Sequence, residues 1–422
     1  MVQIYKFGGA SVKDAAGIKN VCNIIKSGTK PLVVVISAMG KTTNAMEEII
    51  EAYVAQNQEQ LKLAYQAVID YHNPIVVDLF GDQHPFFNIY NKLLNELWQR
   101  LQLRPTGRYD LDYDQIVPFG ELISTHIVSA YANSIHIQNQ WMDARNIIRT
   151  DKNYRNAEIN WGLSAQLVRK SIDFQKQSIY ITQGFIGATL SDMSTTLGRE
   201  GSDYSGAVLA HILNAQSLTI WKDVPGVLNA DPRWYPLAQK LNEISYPEAI
   251  ELAYYGAQVI HPKTLKPLQN KDIPLYVKSF LDAGLSGTVI KSLKGAVDIP
   301  VYILKKEQLF ITISPKDFSF IMEDNLSAIF AIFSQHKIKV NLMQNSALNF
   351  SVCINEPRDM GSLLKALQTD FTVRYNDHVE LVTIRNYTPE AIALVTKQKQ
   401  IIGTQLSRNT ARYVLKESEW MF

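Results

Sequence analysis

Lys6-Phe7-Gly8-Gly9-Ala10-Ser11 joins an apolar strand at residues 2–7 to a helical pattern at 14–26, where Ile18, Val21, Cys22 and Ile25 share one face. A second apolar strand follows at 32–36 and a second helix runs from 44 to about 55. Strand, glycine turn, helix, strand is the rhythm of an α/β layer architecture with a mainly parallel sheet. Working outward, residues 56–115 read as a helical subdomain or lid, interrupted at Asn73-Pro74, Gly81-Asp82 and His84-Pro85. The sheet pattern resumes at 135–138, 178–182 and 218–221 and ends at 274–279, so one large domain is expected over 1–290.

A second domain is expected at 300–422. Strand 308–314, helix 325–336, strands 338–343 and 349–354, helix 360–368 and strand 371–375 follow the order βαββαβ of a ferredoxin-like unit covering 308–376. Strand 379–384, a helix from Pro389 and strand 411–415 make only part of another such unit. Residues 300–304 supply its missing strand, giving an interleaved pair with the second unit built from 300–305 plus 379–417.

Bulk properties narrow the function classes. A chain of 422 residues needs more than one core, and 46% hydrophobic residues can fill them. The 42 basic and 40 acidic residues nearly cancel, with no long block of one sign, so nucleic acid is not an expected partner. Cys22 and Cys353 cannot form a disulfide framework, which points to a reducing compartment and to the cytoplasm. The longest near-continuous apolar stretch, 32–39, is far short of the roughly 20 residues that cross a bilayer, so no membrane span is expected. Residues 1–9 run from apolar to Lys6 and a glycine pair, the reverse of a secretory signal, and are expected to belong to the fold.

Four segments offer chemistry. Gly8 and Gly9 let backbone approach a phosphate while Lys6 and the helix N-terminus supply positive potential, although such a pair alone is more often a plain tight turn. Gly40-Lys41-Thr42 imitates the end of a nucleotide P-loop, but the required first glycine is Val35, inside a strand, so that motif is rejected. Ser37, Thr43 and Asn44 remain polar donors there or ordinary helix caps. The third segment is the densest. Between 184 and 206 lie five of the 21 glycines, around Thr195-Thr196-Leu197-Gly198-Arg199-Glu200-Gly201-Ser202-Asp203, a concentration that suits a backbone-lined anion site. Arg199 can grip a carboxylate with two parallel hydrogen bonds, and Asp203 can orient Lys6 or a phosphate-bound metal. The fourth, Lys222-Asp223 with Asp231-Pro232-Arg233, reads by itself as a charged turn. Glu121, before an apolar helix, reads equally as a first-turn acid or a ligand.

Together KFGGASV (6–12), PFGE (118–121), TTLGREGSD (195–203), WKDVPGVLNADPR (221–233) and YGAQVIHP (255–262) resemble the motifs of the aspartokinases, within the amino acid kinase family, in that family's order. The resemblance implies a three-layer α/β/α kinase domain followed by a pair of ferredoxin-like ACT domains. It also implies transfer of the γ-phosphoryl group of ATP, with Mg2+ carried by the nucleotide, to the β-carboxylate of L-aspartate. The product, 4-phospho-L-aspartate, is the first intermediate of lysine, threonine and methionine biosynthesis, and a homodimer through the ACT domains is implied as well. Residue by residue, Lys6, Arg199 and Asp203 correspond to catalytic positions, and Thr43, Glu121, Arg199 and Ser202 to substrate ligands. Lys6, Gly8, Gly9, Ser11, Ser37, Lys222, Asp223, Leu228, Arg233 and Gln258 fall where the family binds ATP.

The chain departs from the family pattern at Ala10 for threonine, Glu200 for glycine, Lys222 for threonine and Gln258 for a phosphate-binding lysine. Loss of that lysine removes charge stabilisation from a transition state governed by electrostatics, and Lys222 is expected to restore it from another strand. In the ACT region Asp324-Asn325-Leu326, Asn341 and Ala347 also depart, which leaves open whether lysine, threonine or no amino acid acts as effector. Two other functions compete: a kinase for another amino acid on the same fold, and an amino-acid sensor with weak turnover.

Overall fold

The computed structural model describes residues 1–257, 260–293, 299–317 and 319–420. They form two compact units, one from the described residues of Met1–Val227, Asn242–Tyr246 and Ile260–Lys294, the other from those of Leu228–Leu241, Pro247–Val259 and Gly295–Phe422.

The first unit opens with β1 (Gln3–Phe7), α1 (Ala15–Ser27), β2 (Leu32–Ile36) and α2 (Thr42–Val54). Asp14 starts α1 by accepting a hydrogen bond from Gly17 N at 2.7 Å, the usual service of an N-cap acid. There follow α3 (Gln58–Phe80), α4 (Phe86–Leu101), α5 (Tyr109–Ile116), α6 (Phe119–Ser134), β3 (Gln140–Met142), α7 (Ala144–Ile147), α8 (Trp161–Ser171) and β4 (Ile179–Gln183). The hairpin β5 (Ile186–Ala188) and β6 (Ser194–Thr196) leads to α9 (Gly201–Leu213), β7 (Ser217–Lys222) and β8 (Glu243–Ser245); α10 (Tyr246–Tyr255) follows in sequence but, apart from Tyr246, belongs to the second unit, and the first unit resumes with α11 (Pro262–Gln269), β9 (Leu275–Ser279) and β10 (Thr288–Lys291).

Eight strands form one sheet in the order β3-β4-β2-β1-β7-β9-β10-β8, parallel throughout except between β9 and β10. All five residues of β2, LVVVI, are buried, as a central parallel strand covered on both faces requires. After β1 the chain adds strands on the β2 side and later on the β7 side. The strand order therefore reverses at β1, and ligands of open α/β sheets bind at the carboxyl ends beside such a point. Lys6, in register with Val35 and Ile220, stands at that end.

Two expectations for this unit need correction. Residues 135–138 are not a strand: Ile135 ends α6, His136 takes a left-handed turn at φ 65°, and Ile137 plugs into the core, so alternation there reflects burial at a helix end. The edge strand is β3 instead. Nor does Pro74 interrupt its helix, since α3 runs through it until Gly81. Proline removes one N–H, but the carbonyl deprived of it belongs to Asp70, an exposed residue whose backbone water can satisfy.

The second unit contains β11 (Val301–Pro315), α12 (Glu323–Gln335), β12 (Val340–Asn345), β13 (Phe350–Asn355), α13 (Met360–Asp370), β14 (Phe371–Arg385), α14 (Pro389–Thr396), β15 (Ile401–Leu406) and β16 (Thr410–Lys416). Its antiparallel sheet has the order β12-β13-β11-β14-β16-β15. The strands expected separately at 300–304 and 308–314 are one strand, β11, and those at 371–375 and 379–384 are one strand, β14. Lys305-Lys306-Glu307 looks like a break in sequence but is a bulge: Glu307 takes φ 54°, the register shifts between Lys305 and Gln308, and the ladder continues. Each half of this long pair carries its own core, one around Leu309, Ile329, Phe333 and Leu363 and one around Tyr302, Val382, Val395 and Tyr413. The expected α/β domain with a mainly parallel sheet and the paired ferredoxin-like arrangement are thus both present.

Candidate active site

The carboxyl ends of β1, β2, β4 and β7 open onto a cavity of about 570 Å3. Lys6, Gly8, Gly9 and Ser11 line it from the β1 turn, and Ser37 from the end of β2. The first turn of α9 contributes Ser202 and Asp203, and the end of β7 contributes Lys222 and Asp223.

Lys6 and Asp203 approach to 2.6 Å between Nζ and Oδ1, with side chains only 10% and 5% exposed. They meet as an ion pair rather than along a well-aligned hydrogen bond, since Oδ1 has no hydrogen-bond donor of good geometry. The ammonium is therefore held in place yet able to serve another anion. Gly9 is required by close backbone approach: a Cβ there would sit 2.7 Å from both Ala38 O and Gly40 O, where Gly40 N donates to Gly9 O at 3.0 Å. That contact clamps the β1 and β2 turns together. The Ser11 hydroxyl, at the following turn, is buried without a partner.

Other lining residues come from helices and one loop. Thr43 and Glu47 come from α2, Tyr113 from α5, Glu121 from the first turn of α6, and Arg155 from the loop after α7. Glu121 is 2% exposed, and its Oε2 has no hydrogen-bond partner. Burial pushes its carboxyl up to about 8, against backbone N–H groups of Glu121 and Ala38 that favour the charged form. A buried carboxylate oxygen left without a partner on a cavity wall is costly unless a cation arrives. Arg199 lines the same cavity, and no described residue hydrogen-bonds or pairs with its guanidinium.

Lys6, Arg199 and Asp203 thus lie on one cavity, together with Gly8, Gly9, Ser11, Ser37, Thr43, Glu121, Ser202, Lys222 and Asp223. Three other candidates are not among its lining residues. Leu228 and Arg233 belong to the second unit, where the Arg233 Nε donates to both oxygens of Asp231 at 3.0 and 2.9 Å and holds that carboxyl below its ordinary range. Gln258 lies outside the described residues.

Sequence reasoning missed Glu47, Tyr113, Arg155 and Phe185 on the cavity wall. Tyr113 donates to Glu47 at 2.9 Å, and the Arg155 guanidinium lies 4.5 Å from the Tyr113 ring centroid. Behind them Asp114 accepts from Arg155 N, Thr196 N and Thr196 Oγ1 at 3.0, 2.9 and 2.7 Å, tying helix α5 to the β6 end. Burial raises the Asp114 carboxyl to about 6 despite those bonds.

Comparison with known proteins agrees with this geometry. The model of the amino acid kinase family matches residues 1–279. The aspartokinase of Chlamydia pneumoniae is 30% identical over 94% of this chain and 88% of its own length. Lysine-sensitive aspartokinase 3 of Escherichia coli is 29% identical over 84% of this chain and 78% of its own. The crystal structure of Escherichia coli aspartokinase III in complex with aspartate and ADP superposes with a TM-score of 0.80 at 26% identity, covering 98% of this chain and 96% of that one. On the match to the family model, the near full-length relative and the shared architecture, the chain belongs to the amino acid kinase family, among its aspartokinases.

Proposed function

We infer that this chain is an aspartate kinase, transferring the γ-phosphoryl group of Mg-ATP to the β-carboxylate of L-aspartate. The observation that carries the reading is one cavity lined by a buried lysine–aspartate pair, by Glu121 with an orphaned buried oxygen and by Arg199, whose guanidinium no described residue engages. Glu121 receives the α-ammonium and Arg199 a carboxylate of the amino acid, so a substrate lacking either charge would leave a site group unmatched.

The acceptor carboxylate is already a deprotonated nucleophile, so no general base is required. Positioning and charge stabilisation are the work of the site. Lys6, aligned by Asp203, offsets charge on the transferring phosphoryl oxygens, and the amides of the β1 turn and of the α9 N-terminus line the phosphate path. Mg2+ carried by the nucleotide would neutralise its phosphates. Lys222 sits on the cavity wall and supplies the charge that Gln258 does not. Accordingly Lys222→Ala is expected to lower kcat several times more than Gln258→Ala, and equal effects in steady-state kinetics would count against this role.

The second unit is proposed to be an ACT pair that forms a homodimer, a reading supported by the exposed Met343, Ile401 and Leu406 on edge strands β12 and β15. No helix of the described residues is long and apolar enough to cross a membrane, and a cytoplasmic location is proposed. A coupled ADP-release assay tests the function: release is expected with ATP and aspartate, with little from glutamate and none without acceptor. ADP release equally fast with glutamate would point to another amino acid kinase, and none with any acceptor to a sensor.

A further inference from the structure

Glu200 occupies a position whose backbone suits glycine, at φ 54° and ψ 26°, immediately before α9. Its side chain makes no capping bond to that helix. Instead Oε2 accepts a hydrogen bond from His261 N at 2.9 Å, at the residue that caps α11. Two residues on the other side of Arg199, the Leu197 carbonyl accepts from Lys263 Nζ at 3.1 Å, and the same ammonium lies 4.8 Å from the Tyr204 ring centroid. Between these ties Gly198 takes φ 76°, with Asn156 Oδ1 2.7 Å from where a Cβ would be.

Arg199 is thus bracketed by two bonds to α11 that leave its guanidinium unpartnered. We propose that Glu200 is a positioning residue: by fastening the 197–201 loop to the start of α11 it presets Arg199 for the amino acid carboxylate. A carboxylate makes a left-handed residue worthwhile here because it holds a main-chain N–H that glycine cannot reach. The proposal rests on the aspartate-binding role of Arg199 given above, and it concerns substrate capture rather than the chemical step.

The test compares Glu200→Ala, Glu200→Gln and Glu200→Gly. In the ligand-free protein Ala and Gly are expected to accelerate amide hydrogen exchange at 197–201 and at His261, while Gln, which keeps the acceptor, leaves it near wild type. In kinetics Ala and Gly should raise KM for aspartate about threefold to tenfold with kcat and KM for ATP within twofold, and Gln should rescue. The Gly variant adopts this backbone freely, so a folding defect in Ala does not remove the test. Unchanged exchange in both Ala and Gly overturns the proposal. So does Gln behaving like Ala, or a joint rise of both KM values with a lowered Tm. Failure of the wild type to phosphorylate aspartate would instead remove the reading of the site, and the exchange comparison would still decide whether Glu200 fastens the loop.

Discussion

Lys6→Ala is expected to lower kcat by about two to three orders of magnitude while changing KM for aspartate far less, since loss of one preorganised donor to a charged transition state typically has that effect. The lysine is nearly buried on the central strand and held by Asp203 at 2.6 Å, so it needs no rearrangement to meet the phosphoryl group. The substitution also strands a buried aspartate, and breaking such a pair destabilises by about 3–5 kcal/mol. Stability and catalysis can be separated. Lys6→Ala combined with Asp203→Asn should regain much of the lost Tm because the orphaned charge is gone, yet remain as slow as Lys6→Ala. Recovery of turnover alongside Tm would mean that Lys6 is structural.

The second large effect is expected at Glu121. Glu121→Gln should lower kcat/KM for aspartate by about a hundredfold to a thousandfold, the range for removing one charge of a buried pair, with KM for ATP little changed. Its pH behaviour follows from burial, which raises the carboxyl from 4.5 to about 8. Without ligand the group is mostly protonated at pH 7, so aspartate affinity should strengthen as pH rises towards 8, and binding at pH 7 should release a proton. Glutamine should remove both the slope and the proton release. For stability the sign is opposite. A carboxyl with a raised native pKa favours the fold below its unfolded value, and that contribution is lost as pH rises through about 8. Glu121→Gln should therefore raise Tm relative to wild type at pH 8–9 and change it little at pH 5. A wild-type Tm that rises with pH relative to the variant would contradict this assignment.

The parts of the site visible in the sequence are those at strand ends and in the turns and helix starts that follow them. Lys6, Gly9, Arg199 and Asp203 follow short buried runs with glycine beside them, and a strand end in an open α/β sheet already says where such residues point. Glu121 was visible only as a residue type in a motif; that its oxygen is orphaned and its proton retained depends on packing of α6 against the sheet. Tyr113 and Arg155 were not visible because long-range tertiary contacts place them: Asp114 reaches 41 residues along the chain for Arg155 and 82 for Thr196. Similar reasons explain the fold errors. Whether Lys305-Lys306-Glu307 ends a strand or bulges it depends on the partner β14, and whether Pro74 breaks a helix depends on which side of α3 meets water. Local pattern carries no information on either.

The central claim is that this cavity phosphorylates a carboxylate of aspartate. Hydroxylamine traps an acyl phosphate as its hydroxamate, so the direct measurement is aspartyl hydroxamate formed against ADP released, with purified protein, Mg-ATP and aspartate. One hydroxamate per ADP, both lost in Lys6→Ala, is the predicted result; ADP release that does not depend on aspartate, or that yields no hydroxamate, would contradict it.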